Sequence, residues 1–130
     1  MKKHLAIMDK LTIDAILSGT KIIETRFSLH KIAPFGVISS GDLVYLKPPG
    51  EEIIGQFRVK KVFFFDGLSQ NDFLDLKRRY EKEINADETY WNHKKDCKFG
   101  TLIFIAESER FITSPIKIKK SDQRGWMVIV

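Results

Sequence analysis

The chain has 130 residues, with 22 lysines and arginines against 17 aspartates and glutamates, a net charge of +5, and 43% hydrophobic residues including ten phenylalanines. That length suits one domain with a self-sufficient core, and the charge favours a polyanionic partner, although a lysine-rich solvated surface yields the same balance. The single cysteine, Cys97, excludes an internal disulfide; with no window near the ~18 apolar residues of a membrane span and too short an apolar run at Leu5 to Met8 for a signal peptide, a soluble cytoplasmic protein is expected.

In chain order, Leu5 to Met8 reads as a short strand. Lys10 to Ser18 follows as a helix, because Ile13, Ile16 and Leu17 recur at the spacing of one buried stripe. Gly19 stands where a helix end takes a left-handed residue. Ile22 to Phe27 then alternates as a strand, with Ile23, Thr25 and Phe27 on one face and Ile22, Glu24 and Arg26 on the other. Ser28 to Gly41 is a loop long enough to carry function. Leu43 to Lys47 is a strand stopped by Pro48-Pro49-Gly50. Ile53 to Phe65 is a long β-prone stretch with a bend expected at Gly55, Gln56, Arg58 and Lys60 on one face, and Phe57, Val59 and Lys61 on the other. After the Asp66-Gly67 turn, Ser69 caps a helix whose stripe is Phe73, Leu76, Tyr80 and Ile84. Asn85 to Lys95 reads as a second short helix with Tyr90 and Trp91 packed inward. Thr101 to Ala106 is a buried strand, Pro115 to Lys120 an alternating one, and Trp126 to Val130 closes the chain. About six strands and three helices fit either a small barrel or an open α+β sheet.

The stretch with most chemistry is Gly19-Thr20-Lys21-Ile22-Ile23-Glu24-Thr25-Arg26. Lys21 falls at the helix–strand corner, a carboxylate follows three residues on and a guanidinium five on. One reading is a salt-bridged strand in which Glu24 and Arg26 neutralise each other. The other is a site, in which Glu24 accepts from the exocyclic amine of a base and Arg26 holds a phosphate or stacks. A corner lysine is expected to contribute little to stability.

The pattern G-x-K-x-x-E-x-R after a short N-terminal helix resembles the signature of the ASCH domain, a family similar in fold to the PUA domains of RNA-modifying proteins. Gly41-Asp42-Leu43 leading into Val44-Tyr45-Leu46-Lys47 resembles that family's second strand, Val59 to Phe64 its long third strand, and Trp126 to Ile129 a closing strand. The resemblance spans nearly the whole chain. It implies an α+β fold, a PUA-like small mixed β-barrel of about six strands with about three helices. It also implies an RNA or nucleotide ligand, in a cleft lined by Lys21, Glu24 and Arg26, with Tyr45 and Lys47 beside them. No cofactor is implied.

Members of the family include small amidohydrolases of acetylated cytidine and proteins that bind or cleave RNA. If this chain is an enzyme, Lys21 and Glu24 are the catalytic candidates, Lys21 serving as base or nucleophile. In the amidohydrolase branch a threonine stands where this chain has Glu24. A carboxylate there is a poor nucleophile toward an amide, because its oxygen is weakly nucleophilic and the anhydride product unstable. Thr20 and Thr25 are nearby hydroxyls. A third reading is a protein-interaction module.

Lys117, Lys119, Lys120 and Arg124 form a cationic strip ending beside Trp126, the combination that tracks phosphates and stacks bases. The same residues also describe an edge strand guarded by lysines with Trp126 in the core. His93 and Cys97 stand four apart, but two ligands do not make a metal site, and none is expected.

Overall fold

The structure, a computed structural model, describes residues 1–113 and 124–129. Nine elements follow in order: β1 (Lys3–Ile7), α1 (Lys10–Ser18), β2 (Ile23–Ser28), β3 (Leu43–Lys47), β4 (Gly55–Asp66), α2 (Gln70–Ile84), α3 (Glu88–Lys94), β5 (Phe99–Arg110) and β6 (Trp126–Val128). The strands form one six-stranded sheet in the order β2-β5-β4-β3-β1-β6. Only β1 and β3 run parallel; the other pairs are antiparallel. The sheet curls into a half-barrel with three helices, the α+β arrangement that the resemblance implied.

Local chemistry fixes the helix ends. Asp9 caps α1 by accepting from Thr12 N at 3.2 Å, and Gly19 ends it at φ 84°. A residue with a Cβ would be strained in that left-handed conformation. Ser69 and Asp72 form a reciprocal capping box at the start of α2.

Two main cores follow from the amphipathic faces. Ile13 and Ile16 of α1 pack with Ala6, Val44, Leu46, Phe57, Ile103 and Trp126 inside the curl. Phe73, Leu76 and Ile84 of α2 and Trp91 of α3 pack with Ile23, Phe27 and Leu102 on the opposite face of β2 and β5. Each fully buried aliphatic or aromatic side chain contributes about 1.5–3 kcal/mol. A smaller cluster joins Leu5, Leu43, Tyr45 and Ile53 on the outer side of β1 and β3.

Two expectations shift. Strand β5 runs on past Ala106 to Arg110, because Glu109 and Arg110 pair with Gln56 and Gly55 of β4; pairing extends it where polar composition suggested a stop. Gly55, beside a register shift between Gln56 and Arg58, also serves a close approach. A Cβ there would stand 2.8 Å from Glu109 O and 2.9 Å from Leu17 Cδ1. Lys61 is exposed rather than sharing a face with buried Phe57 and Val59, because a register shift between Val59 and Lys61 breaks the alternation. Pro115 to Lys120, and with it Lys117, Lys119 and Lys120, lies outside the described residues. Arg124 is described and exposed, next to Gly125.

Candidate functional site

The corner after α1 delivers Lys21 into the interior. Its backbone N–H donates to Ala15 O as the helix ends, and the side chain turns inward. Lys21 is 5% exposed, so the corner position is a buried one and the low stability contribution expected of a corner lysine does not apply. Its Nζ donates to Ile84 O, a carbonyl at the C-terminus of α2, where a cation is favoured by the helix dipole. It also stands 3.5 Å from Glu24 Oε1.

Glu24 is equally buried and held on both sides. Oε1 accepts from Thr25 N at 3.2 Å and faces Lys21, while Oε2 accepts from Arg26 Nε at 3.3 Å and lies 3.3 Å from Nη2. One carboxylate therefore sits between two cations, with both oxygens engaged. Burial of these charges is tolerable only because each is paired and hydrogen-bonded.

Arg26 carries the chain of contacts across the open side of the half-barrel. β2 and β6 are the two ends of the sheet order. From β2, Arg26 donates to Ile7 O at 3.3 Å, at the end of β1, and to Gly125 O at 3.4 Å, just before β6. Its guanidinium lies 5.1 Å over the Trp126 ring. Trp126 in turn donates its indole N–H to His4 Nδ1 at 3.1 Å, and His4 Nε2 meets Asp42 Oδ2 at 2.8 Å. Since indole nitrogen can only donate, Nδ1 of His4 is the acceptor and Nε2 carries the hydrogen that goes to Asp42. Burial raises the Asp42 pKa, but the bond from His4 and the backbone donors of Lys2 and Ser39 outweigh it and leave the carboxyl below its ordinary value. A buried polar line thus runs from Asp42 through His4, Trp126, Arg26 and Glu24 to Lys21.

A cavity of about 860 Å³ opens beside this line. Lys21, Glu24, Thr25, Arg26 and Trp126 line it, as do Tyr90, Asp87 and Lys94 from the α3 region. Met8, Leu11, Ile32 and Pro34 give it an apolar lip. Tyr90 OH stands 2.5 Å from Thr25 Oγ1 and donates to Thr25 O at 3.2 Å. Burial, reinforced by the Glu24 charge, pushes the Tyr90 phenol well above its ordinary value, so it remains protonated across the physiological range.

The structure thus brings Lys21, Glu24 and Arg26 together on one cavity. It does not bring Tyr45 or Lys47 to it. The register of β3 against β1 sets Tyr45 opposite Leu5 in the outer cluster, and Lys47 Nζ donates to Pro48 O at 3.4 Å. Thr25 lines the cavity with Glu24 despite the strand alternation, and Thr20 hydrogen-bonds back to α1 through Ala15 O. Tyr90 and the His4–Asp42 pair escaped sequence reasoning. Tyr90 looked like packing, and its hydroxyl partner is 65 residues away. Asp42 reads in the sequence as the entry to a strand; only the tertiary structure, which puts its Oδ2 2.8 Å from His4 Nε2, reveals a buried acceptor.

No protein-family profile matches the sequence, and no curated protein matches it. Solved structures do. An ASCH protein from Zymomonas mobilis aligns over 84% of this chain and 70% of its own, with a TM-score of 0.66 and 16% identity. Two single-residue variants of that protein align over 100% and 99% of this chain and 91% and 89% of theirs, with TM-scores of 0.75 and 0.76 and 14% identity. At this identity the likeness is one of backbone and topology, and on that ground the chain has the ASCH-domain fold.

Proposed function

We propose that the cavity binds RNA or a modified nucleoside, with Lys21, Glu24 and Arg26 forming its polar wall. The observation that carries this reading is the convergence of all three charged residues of one short motif on a single cavity. Buried charges cost several kcal/mol each even when paired, and a hydrophobic pair would hold the corner at less cost. A base has a polar edge and flat apolar faces; this cavity offers a cation and two hydroxyls on one side and Met8, Leu11, Ile32 and Pro34 on the other. Lys21 has three N–H donors and two named acceptors, which leaves one for a ligand carbonyl or phosphate. Thr25 Oγ1 and Tyr90 OH supply a second polar contact. Glu24 and Arg26 hold one another, so their role is to fix Lys21 and shape the wall.

The hydrolase reading is less well supported. Both oxygens of Glu24, one of its two catalytic candidates, are engaged by Thr25 N, Lys21 and Arg26, which leaves neither free to take a proton from water.

Isothermal titration of the folded protein with cytidine, acetylcytidine, uridine monophosphate and a short single-stranded RNA tests the proposal. At least one should bind, and Thr25→Val, which keeps the branched shape, should weaken it severalfold. Unchanged affinity in Thr25→Val and in Lys21→Met, or no heat with any ligand, would refute the cavity as the site.

A further inference from the structure

A second surface, sharing no residue with the cavity, lies where the far half of the β4–β5 ribbon meets α2. Simple alternation from Phe57 and Val59 would send Lys61 into the core. The register shift between Val59 and Lys61 turns it outward instead, opposite Phe104 of β5. Phe63, two residues on, is 39% exposed and meets Phe104 edge to face at 5.3 Å. Lys61 Nζ stands 4.4 Å over the Phe104 ring and 5.2 Å over that of Phe63. From α2, Tyr80 meets Phe104 at 5.7 Å, and Arg79 lies 5.6 Å over the Tyr80 ring.

Neither Lys61 nor Arg79 has a carboxylate partner among the described residues, whereas Lys31 pairs with Asp66, Lys77 with Glu88 and Arg78 with Asp75. Glu83, one helical turn beyond Arg79, forms no ion pair with it. Two uncompensated cations beside a partly exposed ring suit a ligand that carries distributed negative charge and flat faces together. Single-stranded nucleic acid has both, phosphates for the cations and bases for the ring. An acidic peptide would satisfy the cations and leave the phenylalanine unused. Bulges that re-aim a side chain are frequent beside functional sites, and here the re-aimed residue is one of the two cations.

We propose that Phe63, Phe104, Lys61, Tyr80 and Arg79 form a stacking platform for single-stranded nucleic acid, separate from the cavity. Fluorescence anisotropy with labelled twelve-residue oligouridine and oligothymidine tests it, with twelve-residue oligoglutamate as competitor. Phe63→Ala should weaken oligonucleotide binding about fivefold or more, the lower end of one base–aromatic stack, and Phe63→Trp should bind at least as tightly as the native protein. Lys61→Ala with Arg79→Ala should reduce the log–log salt slope by about 1.4, two contacts at ~0.7 each. Phe63, Lys61 and Arg79 are exposed, so their variants are expected to fold, and thermal melting checks it. Three results would overturn the platform: native affinity in both Phe63→Ala and the double variant, loss only in Lys21→Met, or displacement by oligoglutamate as effective as by unlabelled oligonucleotide. No detectable oligonucleotide binding by the native protein overturns it as well.

Discussion

Glu24 is the residue whose removal should cost most, and the arrangement around it gives the size. Its side chain and that of Lys21 are 7% and 6% exposed, and Arg26 approaches from the other side. Removing one partner of a buried ion pair costs about 3–5 kcal/mol, because the other is left uncompensated. Glu24→Gln leaves two cations, Lys21 and Arg26, without a counter-charge and turns an amide N–H₂ toward one of them, so the full 3–5 kcal/mol is expected. Lys21→Met removes a cation while Glu24 keeps Arg26 and Thr25 N, so the residual cost is the orphaned Ile84 carbonyl plus half the pairing, about 1.5–2.5 kcal/mol. For a chain of this size each kcal/mol moves the melting temperature by roughly 3–5 °C. Glu24→Gln should therefore melt roughly 10–20 °C lower and Lys21→Met about half as far. Urea denaturation of both variants and of Lys21→Met/Glu24→Leu measures this, and the double variant should recover part of the loss. If Glu24→Gln were no less stable than Lys21→Met, or within 1 kcal/mol of the native protein, the carboxylate would not be the counter-charge of the site.

Acid stability should follow Asp42. Its folded pKa lies below the ordinary 3.8, so its contribution is fully present above that value and is lost as pH falls below about 3.8 through the folded pKa; Asp42→Asn should flatten that part of a stability–pH curve measured by denaturant melts, and an unchanged acid limb would exclude the role. Trp126→Phe removes the donor to His4 Nδ1 and should cost about 1–3 kcal/mol. Nitrogen NMR of the native protein should show His4 carrying its hydrogen on Nε2, and the opposite tautomer would contradict the hydrogen-bond line. Incubated with acetylcytidine, the native protein and Glu24→Thr should both release no cytidine at a catalytic rate; the substitution supplies a hydroxyl but strips Lys21 and Arg26 of their shared carboxylate, and rapid release by either would move Lys21 into a catalytic role.

The local signals in the sequence were the reliable ones. Apolar spacing located α1 and α2, Gly19 and Ser69 marked a helix end and a helix start, and the crowding of Lys21, Glu24 and Arg26 pointed to the wall of the cavity. These features depend on neighbours within one turn or one strand, so they are written in consecutive residues. Tertiary structure alone decided the rest. Strand order brought the two ends of the sheet face to face across Arg26, so a side chain that alternation placed simply on one face became the bridge over the open side. Parallel pairing of β1 with β3 sent Tyr45 to the outer cluster and set Asp42 within reach of His4. Packing of α3 against β2 joined Tyr90 to Thr25 across 65 residues. A register shift reversed the facing of Lys61, because a period of two loses its phase at one extra residue. Contacts between distant segments depend on which strands pair and in what register, and no local pattern encodes either.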